Sequence, residues 1–385
     1  MKTIPKFCKQ LYLALGILLL LFNIGYLNKA DADPVYTVSI NNSSTVNNTV
    51  LIGNVNYIPL KTGFEQLGYH VEWSQADRSL YIISPDKSIV VNNVTKQIKM
   101  DGKLYSALKK EILNKNGTTY ITARYLSQLT DSQIKVNGKL VNISNTNIPI
   151  FGENADGSFW LKNNGNFYSL KSKTPKLIGK VDLPSNNAKY SSMSINSIKE
   201  KKSFVITIKT FSGEPLKNVS TIKIFIKNDE VIYSMINGSE ENLETSKNGA
   251  NWVFNNGHLV NLINDNGDIV KNYDLTKIIE DDFFSIDGFI GEEFMLVRSE
   301  TKKQLWAINM KTNKSVRLYN KLLSKEEQAS IEGNTDIGDI HYGDNLHFKS
   351  RSGDTLNFNY FSYLQGAKDM NIEVKLSEFR NFFSN

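Results

Sequence analysis

Apolar and polar positions alternate from Val35 to Ile40 with the period of two that a half-buried strand requires, and the polar stretch Asn41 to Asn48 follows as turn material. Thr49 to Leu60 resumes the strand pattern around a hairpin position at Gly53-Asn54. Pro59, which has no N–H to donate, ends that ladder. The period then changes. Leu60, Phe64 and Leu67 fall at helical spacing on one face of a short helix, and Gly68 supplies the residue free to take positive φ at its end. Val71, Trp73 and Leu80 to Ile83 predict a hairpin around Asp77-Arg78-Ser79.

The same order then repeats. Ile89 to Val91 and Gln97 to Met100 read as strands with a turn at Asp101-Gly102, and Thr118 to Ile121 is a strand entered from Asn116-Gly117. A helix over Ala123 to Leu129 follows. Ile134 to Val136 and Leu140 to Ile143 then form a hairpin around Asn137-Gly138, a pair that predicts a type I′ turn. Tyr57-Ile58-Pro59-Leu60-Lys61 is thus echoed by Tyr120-Ile121-Thr122-Ala123-Arg124. Each copy is too small to bury both faces alone, and packing the two gives a workable core for roughly 110 residues.

The residues Tyr57-Ile58-Pro59-Leu60-Lys61, Glu65, Leu67-Gly68, Val71 and Trp73 resemble the copper amine oxidase-like N-terminal domain, also called the stalk domain, whose Tyr-Val-Pro-Leu-Arg, Glu-x-Leu-Gly, Val-x-Trp pattern usually occurs twice. Lys61 replaces the arginine. In the second copy Thr122 and Ala123 replace Pro-Leu, and no glycine follows Leu129. The resemblance covers about residues 35–145. It implies a small antiparallel sheet wrapped on helices, in exported or surface proteins of Gram-positive-type bacteria, without the oxidase's catalytic machinery.

Beyond residue 146 the chain reads as short strands separated by Gly/Asn/Asp turns. A strand–turn–strand phrase recurs at Ser158 to Leu170, Asn251 to Leu262, Glu293 to Ile308 and Asn345 to Phe358, while Phe204 to Ile208 with Thr221 to Ile226 fits it less closely. Phrases roughly 40 to 50 residues apart have the spacing of propeller blades, which predicts about five of them. A β-sandwich or other all-β domain is the alternative. The similarity to bacterial surface propeller repeats is distant. Leu322 to Ile331 is expected to be a helix between blades, and Lys375 to Phe383 a terminal helix or closing strand.

The amino terminus changes the picture of where the chain resides. Lys2, Lys6 and Lys9 precede the apolar run Leu11 to Phe22, and Ala30-Asp31-Ala32 places small residues at a cleavage spacing. That run is about 12 residues, short of the roughly 20 that span a bilayer, though extension through Leu27 leaves an uncleaved anchor open. Expected domains are therefore a signal peptide or anchor over 1–32, the duplicated α+β domain over 33–146 and the all-β domain over 147–385. Cys8, the single cysteine, lies before the apolar run, so neither disulfides nor lipid attachment at a cysteine after the run is expected. Lys2, Lys6, Lys9 and Lys29 against Asp31 put +3 of the net +6 in the leader, leaving +3 on the rest in interspersed charges. Such a balance excludes nucleic-acid binding as an expectation.

Candidate chemistry is sparse. The oxidase uses three histidines, two as His-x-His, and a modified tyrosine within Thr-x-x-Asn-Tyr-Asp/Glu. Here His70, His258, His341 and His347 form no His-x-His, and Asn272-Tyr273-Asp274 has Ile269 in the threonine's place. Glu280-Asp281-Asp282 and Glu292-Glu293 could serve glycoside hydrolysis or calcium, and Asp265-Asn266-Gly267-Asp268 has part of a calcium loop, but turn charges explain all three. Trp160, Trp252 and Trp306 recur near strand ends, as core residues or as rim aromatics for sugars or peptides. No catalytic, cofactor-binding or metal-ligating residue is assigned, and no cofactor is expected. The expectation is an exported, cell-surface or wall-associated, non-enzymatic binding protein whose β domain docks a protein or a wall glycan. The alternatives are a secreted carbohydrate-active hydrolase and, if the leader is retained, a membrane-tethered extracellular sensor domain.

Overall fold

The computed structural model describes residues 37–41, 44–46, 49–53, 55–105, 110–184, 190–198, 202–212, 218–237, 247–333, 343–362, 364–366 and 368–384. The expected leader, with Cys8, lies outside them. The chain divides into two compact units, one holding Met1–Leu67, Trp73–Leu80 and Val90–Thr146, the other Gly68–Glu72, Tyr81–Ile89 and Asn147–Asn385.

In the first unit the two sequence copies pair with each other. Strand Val55–Pro59 lies antiparallel to Thr118–Thr122 with Ile58 opposite Ile121 and Tyr57 opposite Thr122, so the repeat is related by a local pseudo-twofold at two fully buried isoleucines. Val50–Ile52 and Ile112–Lys115 flank this pair. Each strand runs directly into its helix, Leu60–Glu65 or Ala123–Leu129. The first helix starts at Pro59 with no side-chain cap. In the second copy Thr122 replaces that proline, and its Oγ1 accepts a hydrogen bond from the Tyr125 N–H at 3.2 Å. The replacement is therefore a capping residue. The helices approach closely, since a Cβ on Gly63 would stand 2.9 Å from Leu126 Cδ2.

A second sheet runs Gln133–Asn137, Leu140–Ser144, Thr37–Ile40, Ser44–Thr45. Thr37–Ile40 pairs parallel to Leu140–Ser144, which joins the beginning of the module to its end and departs from the all-antiparallel sheet that the family resemblance implies. The turn after Gln133–Asn137 also differs from expectation. Asn137 stays in the strand opposite Leu140, and within the loop Gly138-Lys139 the glycine takes φ +57° while Lys139 stays negative, the type II′ pattern. By contrast Asp101-Gly102 and Asn116-Gly117 both take positive φ as type I′ turns require. His70–Ser74, Ser79–Ser84, Lys87–Asn92, Ile98–Met100 and Lys103–Tyr105 follow one another in a five-stranded sheet.

From residue 150 onward the second unit consists of five successive antiparallel sheets, four of four strands and a last one of three. Their strands run from Ile150–Asn154 to Thr174–Lys180, Tyr190–Ile198 to Glu230–Asn237, Lys247–Asn248 to Ile269–Asp274, Phe284–Ile290 to Ser315–Arg317, and Leu346–Ser352 to Lys368–Lys375. The weakly patterned segment near Phe204 forms the longest strands, Ser203–Ser212 and Asn218–Lys227. Instead of one helix at Leu322 to Ile331 there are two, Tyr319–Leu322 and Lys325–Gly333, because the chain turns extended at Leu323 (ψ 157°) between them.

Each apolar cluster draws on two consecutive sheets. Phe159 and Phe167 of the first meet Ile206 and Ile224 of the second, whereas Val205 and Phe225, on the opposite face of the same strands, meet Trp252 and Phe254 of the third. Met295 and Val297 of the fourth sheet face Val253 and Tyr273 of the third, and Phe294 and Leu296 face Leu346 and Phe358 of the fifth. This alternation is the period of two acting on both faces at once. Beside the last, three-stranded sheet the terminal helix Leu376–Asn381 packs Phe379 against Phe294, with ring centroids 5.1 Å apart, and Phe358. Within the same unit Trp160 Nε1 donates to the Gly68 carbonyl at 2.8 Å. Gly68 takes φ +78°, and a Cβ there would meet the Pro149 carbonyl oxygen at 2.8 Å, so glycine is required twice over.

Two outcomes follow from this packing. Phe379→Ala should lower unfolding stability by about 3–5 kcal/mol in urea titrations read by tryptophan fluorescence. The adjacent Arg380→Ala, which breaks an exposed pair with Glu293, should cost far less. Asp274 caps helix Leu275–Ile278, and its hydrogen bonds from Lys277 and Thr276 hold its carboxyl down to about 2. Against an unfolded value of about 3.9, the stabilisation is fully present above pH ~4 and is lost as the pH falls through about 2. The Tm difference between the native chain and Asp274→Asn, which keeps a capping oxygen, should therefore shrink across that window.

Candidate binding site

The residues that the sequence singles out are held apart and mostly occupied. Tyr273 is buried in strand Ile269–Asp274, its hydroxyl donating to the Met310 carbonyl at 3.1 Å, and burial pushes the phenol up to about 12. Asp274 beside it is the helix cap. Trp160, Trp252 and Trp306 are 0%, 6% and 9% exposed, so none offers a rim face to a sugar or peptide. Lys247 lies over the Trp252 ring at 4.0 Å and Arg317 over the Trp306 ring at 4.8 Å.

Three imidazoles belong to the described residues; His341 lies outside them. His70 Nδ1 is 2.8 Å from Glu153 Oε2, His258 Nδ1 is 3.2 Å from the Asp282 carbonyl and stands edge-on to Phe283, and His347 lies on strand Leu346–Ser352. Burial, reinforced by the nearby Arg298 charge, lowers His347 from the ordinary imidazole value. Among the described residues no group of three or more His, Cys, Asp or Glu side chains is arranged to hold a metal ion.

In the acidic turns Glu280, Asp282 and Glu293 are likewise engaged, while Asp281 and Glu292 are exposed. Glu280 receives Lys302 at 3.0 Å and Arg317 at 3.3 Å, Asp282 accepts from the Thr301 hydroxyl at 2.8 Å, and Glu293 pairs with Arg380 at 2.7 Å. Asp265 accepts from Trp252 Nε1 at 2.9 Å, and the Asn266 carbonyl takes Lys227 Nζ at 2.8 Å, so the loop with calcium-site flavour is a braced turn. The most buried ionic group is one that the sequence does not reveal. Arg298 of the fourth sheet binds Asp287 at 2.7 Å, Asp344 at 3.1 Å and the Leu346 carbonyl at 2.6 Å, with side chains at most 5% exposed. Asp344 also accepts from the Leu305 N–H at 2.7 Å. This cluster is closed to solvent and ties the fourth sheet to the fifth.

An open site lies instead where the first and second sheets end. The sheet ends at Asn154–Gly157, Lys171–Thr174, Ile198, Lys202–Ser203 and Lys227–Glu230 bound a cleft of about 590 Å³. It is lined by Asp156, Lys171, Ser197, Ile198, Lys202, Ser203, Phe204, Asn228 and Asp229. Asn228-Asp229 and Ser172-Lys173 both take positive φ, the tight I′ geometry that sets their side chains at the sheet ends. Lys171 Nζ reaches across to Asp229 Oδ2 at 2.5 Å, and Asn154 Nδ2 donates to Ser197 Oγ at 3.0 Å, so both walls are braced between sheets. Phe204 is half-buried and stands edge-on to Phe159 at 5.0 Å. Two lysines and two aspartates leave the lining without net charge, beside hydroxyl and amide groups and one aromatic ring. That combination suits an uncharged, hydroxyl-rich ligand better than a polyanion. Sequence reasoning misses this cleft. Its only local signals are turn residues such as Asp156-Gly157 and Asn228-Asp229, and their convergence depends on sheet register.

Comparison with known proteins adds the following. No curated protein matches. Among solved structures the chain is similar to a protein of unknown function from Bacteroides caccae, with 11% identity, 76% of this chain and 87% of that one covered, and a TM-score of 0.23. It is also similar to the computationally designed Ika8 protein, at 10% identity, 78% and 85% coverage and a TM-score of 0.26, and to the dihydro-heme d1 dehydrogenase NirN, at 9%, 80% and 67% with a TM-score of 0.23. At these TM-scores the superpositions carry neither fold nor function to this chain. The family comparison covers the duplicated segment: residues 39–145 match the copper amine oxidase N-terminal domain.

Proposed function

We propose that this is an exported, non-enzymatic envelope protein that docks a wall glycan in the cleft between its first two C-terminal sheets, with the duplicated domain serving as spacer or attachment unit. In this reading the five successive sheets are the blades of a five-bladed propeller. Their meander order and the pairing of each apolar cluster with two consecutive sheets support it. The leader supports export. The observation that carries the reading is the cleft lining: no net charge, hydroxyl and amide groups within reach, and the Phe204 ring available for stacking on a sugar face.

One observation favours a second reading. Asp156 and Asp229 line the same cleft, as the two carboxylates of a glycoside hydrolase do. Neither is buried, however, and Asp229 is occupied by Lys171. Apolar burial is what a carboxyl acting as general acid needs.

Co-sedimentation with purified cell-wall material tests the proposal. The full chain should pellet with the wall. Phe204→Ala, and separately the double change Lys171→Ala with Asp229→Ala, should weaken retention by about tenfold, the scale of ~1.4 kcal/mol of lost contact, with circular dichroism reporting that both variants fold. A chain that stays in the supernatant refutes glycan docking, and new reducing ends in the wall fraction transfer the site to the hydrolase reading.

A further inference from the structure

The strand Gln133–Asn137 is the outer edge of its sheet, and every residue in it is exposed. Ile134 is 38% exposed and Val136 60%. Across the ladder they stand opposite Ile143 and Val141, which are buried and in turn adjoin Ile40 and Val38. The apolar face of the first unit therefore runs outward onto an uncovered margin.

The backbone of that margin is open in a defined way. A two-residue loop closes the hairpin between Asn137 and Leu140, so that pair, Lys135 with Asn142, and Gln133 with Ser144 are the hydrogen-bonded ones. Ile134 and Val136 belong to the alternate pairs, whose N–H and C=O groups point away from the neighbouring strand. The far side of the sheet agrees: the Ile143 carbonyl accepts from the Asn41 N–H at 2.8 Å, so Ile143 faces Thr37–Ile40 and its partner Ile134 faces outward. Two consecutive outward residues thus present their donors and acceptors together with exposed apolar side chains. Lys135 between them projects to the opposite face and has no ion-pair partner among the described residues.

We propose that this edge receives an extended segment of a partner protein with the alternation apolar–acidic–apolar, added to the sheet as one more strand. The segment's apolar residues would lie opposite Ile134 and Val136 and extend the buried face, and its acid would lie opposite Lys135. A second copy of this chain fits less well. The antiparallel register that uses both outward residues of each copy sets Lys135 against Lys135, and like charges directly opposite are unfavourable.

The test uses the full chain and short labelled peptides centred on Val-Glu-Val or Val-Lys-Val, read by fluorescence anisotropy. The acidic peptide should bind roughly fivefold more tightly than the basic one, the scale of one favourable cross-strand charge pair. Lys135→Glu should reverse that order, and Val136→Pro, which deletes an outward N–H while leaving the inner ladder intact, should abolish binding of both. Equal affinity for the two peptides, no binding of either, or an order unchanged by Lys135→Glu would overturn the proposal. So would a concentration-dependent dimer that Val136→Pro dissolves, since that assigns the edge to a second copy.

Discussion

The C-terminal half depends on one constraint: the inner strands of its middle sheets are apolar on both faces, so neither face of those sheets can be left to water. Phe294–Ser299 is buried at every position, and its odd and even residues enter different clusters. A sheet of three or four short strands with two apolar faces is unstable alone, because each face costs roughly 25 cal/mol for every Å² left wet. Stacking consecutive sheets is the solution that satisfies all of them together. The last sheet has three strands, not four, and the terminal helix completes the core it shares with the fourth by adding Phe379 and Phe383 to Phe294 and Phe358.

The same constraint explains where ionic groups sit. A charge on an inter-sheet face must bring its own partners, and Arg298 does so by binding two carboxylates and two carbonyls from neighbouring segments. Such a buried network gives little net stability over an apolar replacement, but loss of the arginine alone strands Asp287 and Asp344 in the interior. Its consequence is positional. Asp344 is held against the Leu305 N–H and the Leu346 N–H, which fixes the start of the fifth sheet beside the fourth.

Much of this was legible in the sequence, and what was not has identifiable causes. Periodicity locates both helices of the duplicated module, and Asp101-Gly102 and Asn116-Gly117 form the turns that their dipeptides predict, because backbone preference alone decides them. Asn137-Gly138 deceives by one residue, since cross-strand pairing of Asn137 with Leu140 outweighs its turn preference. The repeat of Tyr57-Ile58-Pro59 at Tyr120-Ile121-Thr122 is visible, but that the copies hydrogen-bond to each other is not. The long strands near Phe204 were the least evident because apolar residues there serve two faces and blur the alternation. The cleft was invisible for a related reason: Asp156, Lys171, Lys202 and Asp229 come from four separate turns.

Where both faces of a sheet are consumed in packing, as in the second, third and fourth sheets, recognition has to use what packing leaves over. Two kinds of surface remain: the hairpin ends, where chain reversal brings polar side chains out of the stack, and the strand edges, where the backbone itself is unpaired. The cleft at the ends of the first two sheets is of the first kind, and its mixed, uncharged lining follows from turn chemistry that favours Asn, Asp, Ser and Gly. The margin at Ile134 and Val136 is of the second kind, and there specificity comes from side chains that alternate between a continued apolar face and the lone charge of Lys135. Neither surface requires the packed interior to move. A chain without disulfides can thus present binding groups while leaving the apolar contacts that stabilise it intact.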